Sequence, residues 1–566
     1  MPHSTDEPRE RETARADTGT AAAVPTAAVA VVGAGPAGLA AAVTAADHGL
    51  DVILLDAADA PGGQYYRSPP AGLGATRPGR LHHHWHTFTE LSARLAAHRD
   101  SGAIRHLAGH QVWTVERTGD ADWILHAVTG GDRESRTAVR ARRMVLATGA
   151  HERQLPFPGW TLPGVVSAAG AQAMLKSGLV LPGRRIVVAG SGPLLQAVAV
   201  SLTRAGARVP ALVEAGGYGA YARAPRVLAG NPGKAAEAAR FGVSLARARV
   251  RVLPHRAVTE VHGDERVEAV TVSRVDQRWR PVAGTGRRID CDALAVGHGL
   301  VPQLELALAA GCGTRLSPDG THAVVLDARL GTTVPGVWAA GESGGVGGVE
   351  LALCEGELAA LSVVREVRGG VRREVARRAV ALGRARHRLR AFATLMGTVH
   401  RPGAGWSEWL TGDTEVCRCE EVTAGRIRAA CEELGAGDTR TVKLLTRAGM
   451  GWCQGRTCGF AVRELAVHGP GQEPGGPDRR PLACPVKLST LAALDGNGQT
   501  SAQTPGQTSE PTPGPNPGPT PGQAPEPTLG QAPGPNPEST PGQAPGQTHE
   551  STPEQAPGQN PGTALS

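Results

Sequence analysis

Four cysteines in the C-terminal part of this chain stand at the spacing of metal ligands. Cys417-Arg418-Cys419 makes a C-x-C pair, and after a gap of 33 residues Cys453-Gln454-Gly455-Arg456-Thr457-Cys458 makes C-x4-C. Four thiolates can hold a zinc ion or an iron–sulfur cluster. Zinc knuckles favour two residues within a pair, so the spacing of Cys417 and Cys419 suits zinc poorly. A [2Fe–2S] cluster, zinc and unligated thiols remain in competition on spacing alone. The other five, Cys291, Cys312, Cys354, Cys431 and Cys484, are isolated in sequence and expected as buried apolar side chains. Nine cysteines without a disulfide frame suit a reducing compartment, where thiols bind metals or do chemistry. His82-His83-His84-Trp85-His86 also invites a metal, but adjacent histidines point apart and no carboxylate or cysteine is near in sequence. A polar or cofactor-lining helix is the expectation there.

Two glycine-rich turns carry the second kind of chemistry. Val29–Val32 runs into Gly33-Ala34-Gly35-Pro36-Ala37-Gly38, an alanine-rich stretch continues to about His48, and Val52–Leu55 ends at Asp56. This is G-x-G-x-x-G inside a complete β-α-β unit. Gly33 permits the tight turn, Gly35 lets a pyrophosphate approach the backbone, and Gly38 lets helix and strand pack closely. The helix, opening at Pro36 and Ala37, offers free N–H groups and partial positive charge to an anion. Asp56, at the end of the second strand, is placed to hold ribose hydroxyls. Pro61-Gly62-Gly63-Gln64 resembles the double-glycine turn of FAD-binding flavoproteins. Met144-Val145-Leu146-Ala147-Thr148-Gly149 resembles their strand ending in Ala-Thr-Gly, and Thr332 to Glu342 their late strand and turn through Gly341. In that group the closing acid, usually Asp, bonds the ribityl chain; Glu342 is one methylene longer. The resemblance implies FAD at this site. Ser343 to Gly348 and an apolar helix from about Glu350 would bring backbone to the flavin ring, with the helix N-terminus favouring negative charge on it.

The second turn is Gly190-Ser191-Gly192-Pro193-Leu194-Leu195, after Arg185–Ala189 and before Ala211–Glu214. Nested inside the FAD domain, this is the place of NAD(P) in glutathione-reductase-like proteins. Glu214 would favour NAD(H) over NADP(H) by repelling a 2′-phosphate. Leu195 stands where a third glycine is usual and is expected to hold the helix off the strand, and Pro210 opens the second strand. Binding of NAD(H) and a retained fold without binding are therefore both open. No close cysteine pair follows the first turn, so the redox disulfide of disulfide reductases is not expected and that chemistry is not a leading reading.

These motifs need strands alternating with helices, hence parallel sheets and an α/β fold. The expected architecture is a two-dinucleotide-binding-domain flavoprotein with glutathione-reductase-like Rossmann domains, then a small helical [2Fe–2S] module and a disordered tail. The boundaries are a disordered arm over 1–27, the FAD-binding domain in two parts over 28–165 and 286–400, and a nested NAD(P)-binding-like domain over 166–285. The cysteine module spans 412–465, compact and separate, with an extension over 466–496 and a Pro/Gly/Gln-rich tail over 497–566 that lacks the apolar surface to fold. Residues 370–400, rich in Arg, Ala and Leu, are expected as helix. The net charge of +7 comes from scattered residues with no aromatic-interleaved basic run, which speaks against nucleic acid. No stretch of about 18 uncharged apolar residues occurs, so no transmembrane segment is expected. The expected location is the cytoplasm, with any membrane association made through partners.

Taken in order, the motifs resemble one family: the FAD- and iron–sulfur-containing subunits of opine oxidase, hydrogen cyanide synthase and D-hydroxyproline dehydrogenase. Part of the large subunit of heterotetrameric sarcosine oxidase is also similar. Gly62-Gly63-Gln64, Ala340-Gly341-Glu342, Cys417-Arg418-Cys419-Glu420 and Cys453-Gln454-Gly455-Arg456-x-Cys458 carry the resemblance, with Gly449-Met450-Gly451 and the ending Arg480 to Val486. The cysteine segment is similar to the module related to bacterioferritin-associated ferredoxin, which implies a [2Fe–2S] cluster on Cys417, Cys419, Cys453 and Cys458. The family implies an electron-transferring subunit of an amine or amino-acid (opine, hydroxyproline or glycine-like) dehydrogenase or oxidase. It also implies a partner flavoprotein of the amino-acid oxidase type and a small ferredoxin-like subunit. No acid–base pair for substrate activation stands out. The competing readings are a stand-alone NAD(P)H:acceptor oxidoreductase and, from another class, a scaffold without cofactors, against which the intact glycines and cysteines speak.

Overall fold

The computed structural model describes residues 24–119, 122–130, 134–466, 475–480 and 482–492; the expected arm and tail fall outside these. The strand Thr26–Val32 is buried along most of its length, as a strand covered on both faces requires. It pairs in parallel with Val52–Leu55 on one side and with the long strand Ser135–Leu146 on the other. The resulting seven-stranded sheet adds Ile104–Leu107 at one edge. Beyond Ser135–Leu146 its first half pairs antiparallel with Trp123–Thr129, and its last residues pair in parallel with Val337–Ala339.

The helix Pro36–Asp47 starts on a proline whose fixed φ suits the first turn. Its small side chains let the helix Val349–Val367 lie against it: a Cβ on Gly356 would stand 2.1 Å from Ala37 O. Residues 370–400 form the helix Arg373–Val399, as expected. It packs on Val349–Val367 and brings Arg386 and Arg390 to Glu355, a fully buried carboxylate, at 3.0 and 2.6 Å. Gly341 N donates to the same carboxylate at 3.0 Å. A charge taken out of water needs such full pairing.

The nested domain is a five-stranded parallel sheet ordered Arg251–Pro254, Ala211–Glu214, Ile186–Gly190, Ala293–Gly297, Val165–Ser167. An antiparallel layer of Arg256–His262, Ala269–Arg274 and Arg287–Asp290 accompanies it. The chain enters and leaves this domain through a small ribbon, Ala150–Glu152 against Leu300–Pro302. Leu195 does not keep its helix off the strand. It is buried in the nested core with Val188 and Ala295, and even a Cβ on Gly297 would meet it only in ordinary contact, 3.8 Å from Leu195 Cδ2.

The cysteine module consists of the helices Ala424–Glu432, Thr439–Thr446 and Gly459–Ala466 with a short ribbon, Glu415–Cys417 against Val422–Thr423. Expected as a body of its own, it instead shares one hydrophobic core with the nested domain. Trp160 Nε1 donates to Glu415 O at 2.7 Å, and Trp409 Nε1 to Trp279 O at 2.8 Å. The Trp279 and Trp409 rings stack, and Trp406 is among the largest fully buried side chains. Burying such large side chains, at roughly 25 cal/mol per Å² of apolar surface, binds the two bodies together.

Candidate functional site

Both glycine-rich turns open onto one cavity of about 1010 Å³. Of the residues expected to bind nucleotide, Gly33, Gly35, Pro36, Ala37, Asp56, Gly63, Gln64, Thr148, Gly149, Gly341, Glu342 and Gly192 line it. Gly38, Gly190 and Glu214 do not, for two different reasons.

Gly38 and Gly190 act in packing. A Cβ on Gly38 would lie 1.7 Å from Gly33 O, the close helix–strand approach its motif position implies. A Cβ on Gly190 would lie 1.7 Å from Gly297 O on the neighbouring strand. Gly35 is different: its Cβ would meet only Gly63 Cα, at 3.9 Å, so the turn leaves space on the cavity side. That gap beside a helix N-terminus is a cradle for a pyrophosphate.

Asp56 and Glu342 are among the carboxylates that line this cavity. Asp56 accepts hydrogen bonds from Ala58 N at 2.7 Å and from Ala34 N. Burial pushes its pKa up, opposed by those two N–H groups. Glu342, at the position of the usual Asp, accepts from Gly347 N at 2.7 Å and Gly348 N at 2.9 Å. It binds the two amides just ahead of the helix Val349–Val367, so the amides expected to face a flavin ring are partly taken by this side chain. Burial raises its pKa, against the pull of the same two amides. A carboxylate has about four acceptor positions, so each acid keeps room for hydroxyl donors of a ribose or ribityl chain. The Thr148 hydroxyl donates to Gln303 O at 2.8 Å and lies 3.1 Å from Ser343 Oγ. The residues present fit FAD.

Sequence reasoning missed two arginines of this wall. Arg390 Nη1 donates to Gly345 O at 2.6 Å and Arg315 Nη2 to Gly344 O at 3.0 Å. Both line the cavity beside Glu342. The i,i+4 spacing of Arg386 and Arg390 was the available signal, since it puts both on one helix face.

The nested turn requires a correction. Glu214, expected to favour NAD(H) by repelling a 2′-phosphate, is fully buried and turned inward. Its carboxylate accepts from Gly192 N and Gly216 N, each at 3.0 Å, and lies 3.5 Å from His400 Nδ1. Burial works against its charge, but His400 and the Gly192 amide outweigh it and hold the carboxyl below its ordinary range. His400 Nδ1 also stands 3.1 Å from Ser191 Oγ, and its Nε2 3.0 Å from Tyr221 OH. A buried carboxylate must find partners, and here the chain supplies them from the residue after Arg373–Val399. Glu214 has no open face toward a ribose.

His298 lines the cavity beside Trp279 and Trp409 and is almost fully buried. Burial first, then Arg153, lowers its pKa to about 3. Because this folded-state value lies below the unfolded one, His298 contributes stability that is complete above about pH 6.5 and lost as pH falls toward 3. We expect denaturant melts to lose roughly 1.4 kcal/mol per pH unit from this residue over that interval. The loss between pH 6.5 and 5 should be smaller in His298→Asn; an equal loss in both proteins would refute the assignment.

Cys417 ends its strand, Cys419 follows in the turn, and Cys458 directly precedes the helix Gly459–Ala466. Cys417 faces Cys458, and Cys419 faces Cys453. The Cys458 thiol, aided by Gly449 N–H at 3.4 Å, draws the Cys417 pKa down to about 6. Gly451 makes room for the ligand loop, since a Cβ there would come 2.3 Å from Cys419 Cβ. Among the described residues no three His, Cys, Asp or Glu side chains are gathered for a single ion. Four thiols so placed can hold two sulfide-bridged irons or one tetrahedral zinc. Cys417 and Cys458 are buried, Cys453 half-buried and Cys419 exposed, so one edge of the site reaches the surface. The histidine run does not converge: His82 stacks on Trp85, His83 meets Phe241 edge-on, and His84 lies 3.6 Å from Glu350. The five isolated cysteines are all buried.

Fold and site together define an FAD-dependent oxidoreductase carrying a [2Fe–2S] domain. Residues 27–356 match the family described as pyridine nucleotide-disulphide oxidoreductase, and residues 415–466 match the BFD-like [2Fe-2S] binding domain. The chain belongs to the pyridine nucleotide-disulphide oxidoreductase family. It is 36% identical to hydrogen cyanide synthase subunit HcnB of Pseudomonas aeruginosa, over 76% of this chain and 90% of that one. It is 34% identical to an opine oxidase subunit of Rhizobium meliloti, over 77% and 91%. Among solved structures, L-proline dehydrogenase from P. horikoshii is similar with a TM-score of 0.58 and 20% identity, over 82% of this chain and 79% of that one. At that identity the likeness concerns the fold alone. No helix among the described residues is long and apolar enough to cross a membrane.

Proposed function

We propose that this chain is the electron-transferring subunit of an amine or amino-acid dehydrogenase or oxidase complex, of the opine, hydroxyproline or glycine-like kind. A second flavoprotein subunit would oxidise the amine, and a small ferredoxin-like subunit would complete the assembly. One observation carries the reading. His151, Arg153, Glu305 and Arg456 line the FAD-type cavity and also an adjoining pocket whose wall includes Cys458. The nucleotide cavity and the thiol loop thus share a wall of side chains. FAD takes an electron pair as hydride and a [2Fe–2S] cluster carries one electron at a time, so neighbours of these two kinds convert between pair and single transfer. That the similar proteins are named as subunits supports the placement in a complex.

In this account Gly33, Gly35 and the helix N-terminus at Pro36 and Ala37 hold the pyrophosphate, with Gly38 keeping helix and strand together. Asp56 takes the ribose, and Glu342 with Gly341 takes the ribityl chain. Gly63, Gln64, Thr148 and Gly149 border the ring. Cys417, Cys419, Cys453 and Cys458 hold the cluster. Gly190 and Gly192 keep the nested fold, and the burial of Glu214 favours the reading in which that domain does not use NAD(H).

Two preparations test this. The isolated chain, given NADH and an artificial acceptor, is expected to show no steady-state turnover, and Glu214→Ala to create no preference between NADH and NADPH. The complex co-purified from its host is expected to bleach its flavin when the amine is added. Steady NADH oxidation by the isolated chain would contradict the proposal and favour a stand-alone NAD(P)H:acceptor oxidoreductase.

A further inference from the structure

Arg456 lies inside the second cysteine pair, two residues before Cys458. Its guanidinium reaches beyond the loop. Nη2 reaches Glu305 Oε1 at 3.0 Å and donates to Ala483 O, while Nη1 donates to Cys453 O at 3.5 Å. Glu305 opens the short helix Glu305–Ala309, whose Leu306 and Ala307 are buried in the core beneath the first sheet. One side chain therefore ties the ligand loop to the domain that holds the cavity. Both partners are mostly buried, at 23% and 15% exposure, so their charges are weakly screened.

Several other charged groups near the loop form pairs of their own: Arg447 with Glu420 at 2.8 Å, Arg153 with Asp319 at 3.1 Å and Arg463 with Glu464 at 3.1 Å. His151, on the ribbon beside it, is half-buried and its pKa is lowered to about 4, loss of solvent being the first cause, so it is uncharged near neutrality. Arg480, whose Nη2 would lie 2.7 Å from a Cβ on Gly455, shares Asp478 with Lys443, at 3.3 and 3.4 Å. Arg456 and Glu305 line both the nucleotide cavity and the pocket that includes Cys458.

We infer that Arg456, paired with Glu305, is a positioning residue that holds the cluster loop against the cavity wall and sets the charge next to the cluster. The inference deepens the proposed electron-transfer role and rests on it. A cation near a redox group makes taking up an electron easier, and an anion makes it harder. The two partners must then act with opposite sign, which a purely structural joint would not do.

The test is an electron-paramagnetic-resonance redox titration of the holoprotein. Arg456→Met is expected to lower the cluster midpoint potential and to slow cluster reduction after flavin photoreduction about tenfold, the scale of losses around metal ligands. Glu305→Gln is expected to raise the potential, because it leaves Arg456 uncompensated. The double variant should return near the unaltered value, and Arg456→Lys, which keeps the charge, should stay near it throughout. Shifts of one sign in both single variants, or no shift in either with iron content intact, would overturn the inference. Cluster reduction in the unaltered protein is read separately. If it fails there while the potentials still move in opposite directions, the electron-transfer reading falls and the charge assignment stands.

Discussion

Cys419→Ser should yield a yellow protein with almost no iron or sulfide. Cys419 is the exposed member of the four thiols, so its loss neither opens a cavity nor strands a buried polar group. The same change at Cys417 or Cys458, both 1% exposed, would put a hydroxyl into a shared apolar core and confuse folding with ligation. Serine is a far weaker ligand for iron than thiolate, and a cluster held by four side chains does not persist well on three. The flavin should stay, because the glycine turns and both carboxylates lie in another part of the fold. Thermal stability should fall modestly, by the cluster's share in holding the loop. Iron, sulfide and flavin analysis of anaerobically prepared protein reads all three. Unchanged iron would remove Cys419 from the ligand set, and stoichiometric zinc in the unaltered protein would remove the cluster altogether.

Gly35→Val should have the opposite phenotype, with iron retained and FAD lost. The backbone at Gly35 is ordinary extended chain, φ −71° and ψ −175°, so valine fits it without strain. A Cβ there meets nothing closer than Gly63 Cα at 3.9 Å, so the apoprotein should fold. The added methyl groups, however, fill the gap through which a pyrophosphate must approach the backbone N–H groups. Flavin per chain should fall to near zero, and with it the stabilisation a tight ligand confers, about 4 kcal/mol when present at a thousand times its dissociation constant. Gly38→Ala is the control that separates space for ligand from space for the fold. Its Cβ would collide with Gly33 O at 1.7 Å, so it should lose flavin by unfolding the turn. A folded Gly35→Val protein with full FAD content would refute the placement of the pyrophosphate.

What could be seen in the sequence was whatever depends on near neighbours. The first β-α-β unit, the helix over 370–400 and the cysteine spacing are local patterns, and the strands and helix stand where the hydrophobic periods place them. Glu214 shows the limit. Its position at a strand end is local and was legible, but its role depends on His400, which reaches it from the end of a distant helix. The cysteine module was expected to stand apart because its own sequence is compact. The core it shares with the nested domain is built by Trp160, Trp279, Trp406 and Trp409, scattered along the chain without period. Glu342 was read through the shorter acid usual at its place; its carboxylate instead binds the amides of Gly347 and Gly348. Arg390 escaped notice because an arginine-rich helix looks solvated until its partner, the buried Glu355, is known, and Arg315 because its partner, Gly344 O, is far away in sequence.

The central claim is that one chain holds a flavin and a cluster that exchange electrons. It is tested most directly by photoreducing the as-isolated protein and following visible absorption and electron paramagnetic resonance together. The account predicts about two irons and two sulfides per flavin, with the signal of a reduced [2Fe–2S] cluster growing as the flavin is oxidised again. A flavin that stays reduced while the cluster stays oxidised, in protein containing both, would contradict it.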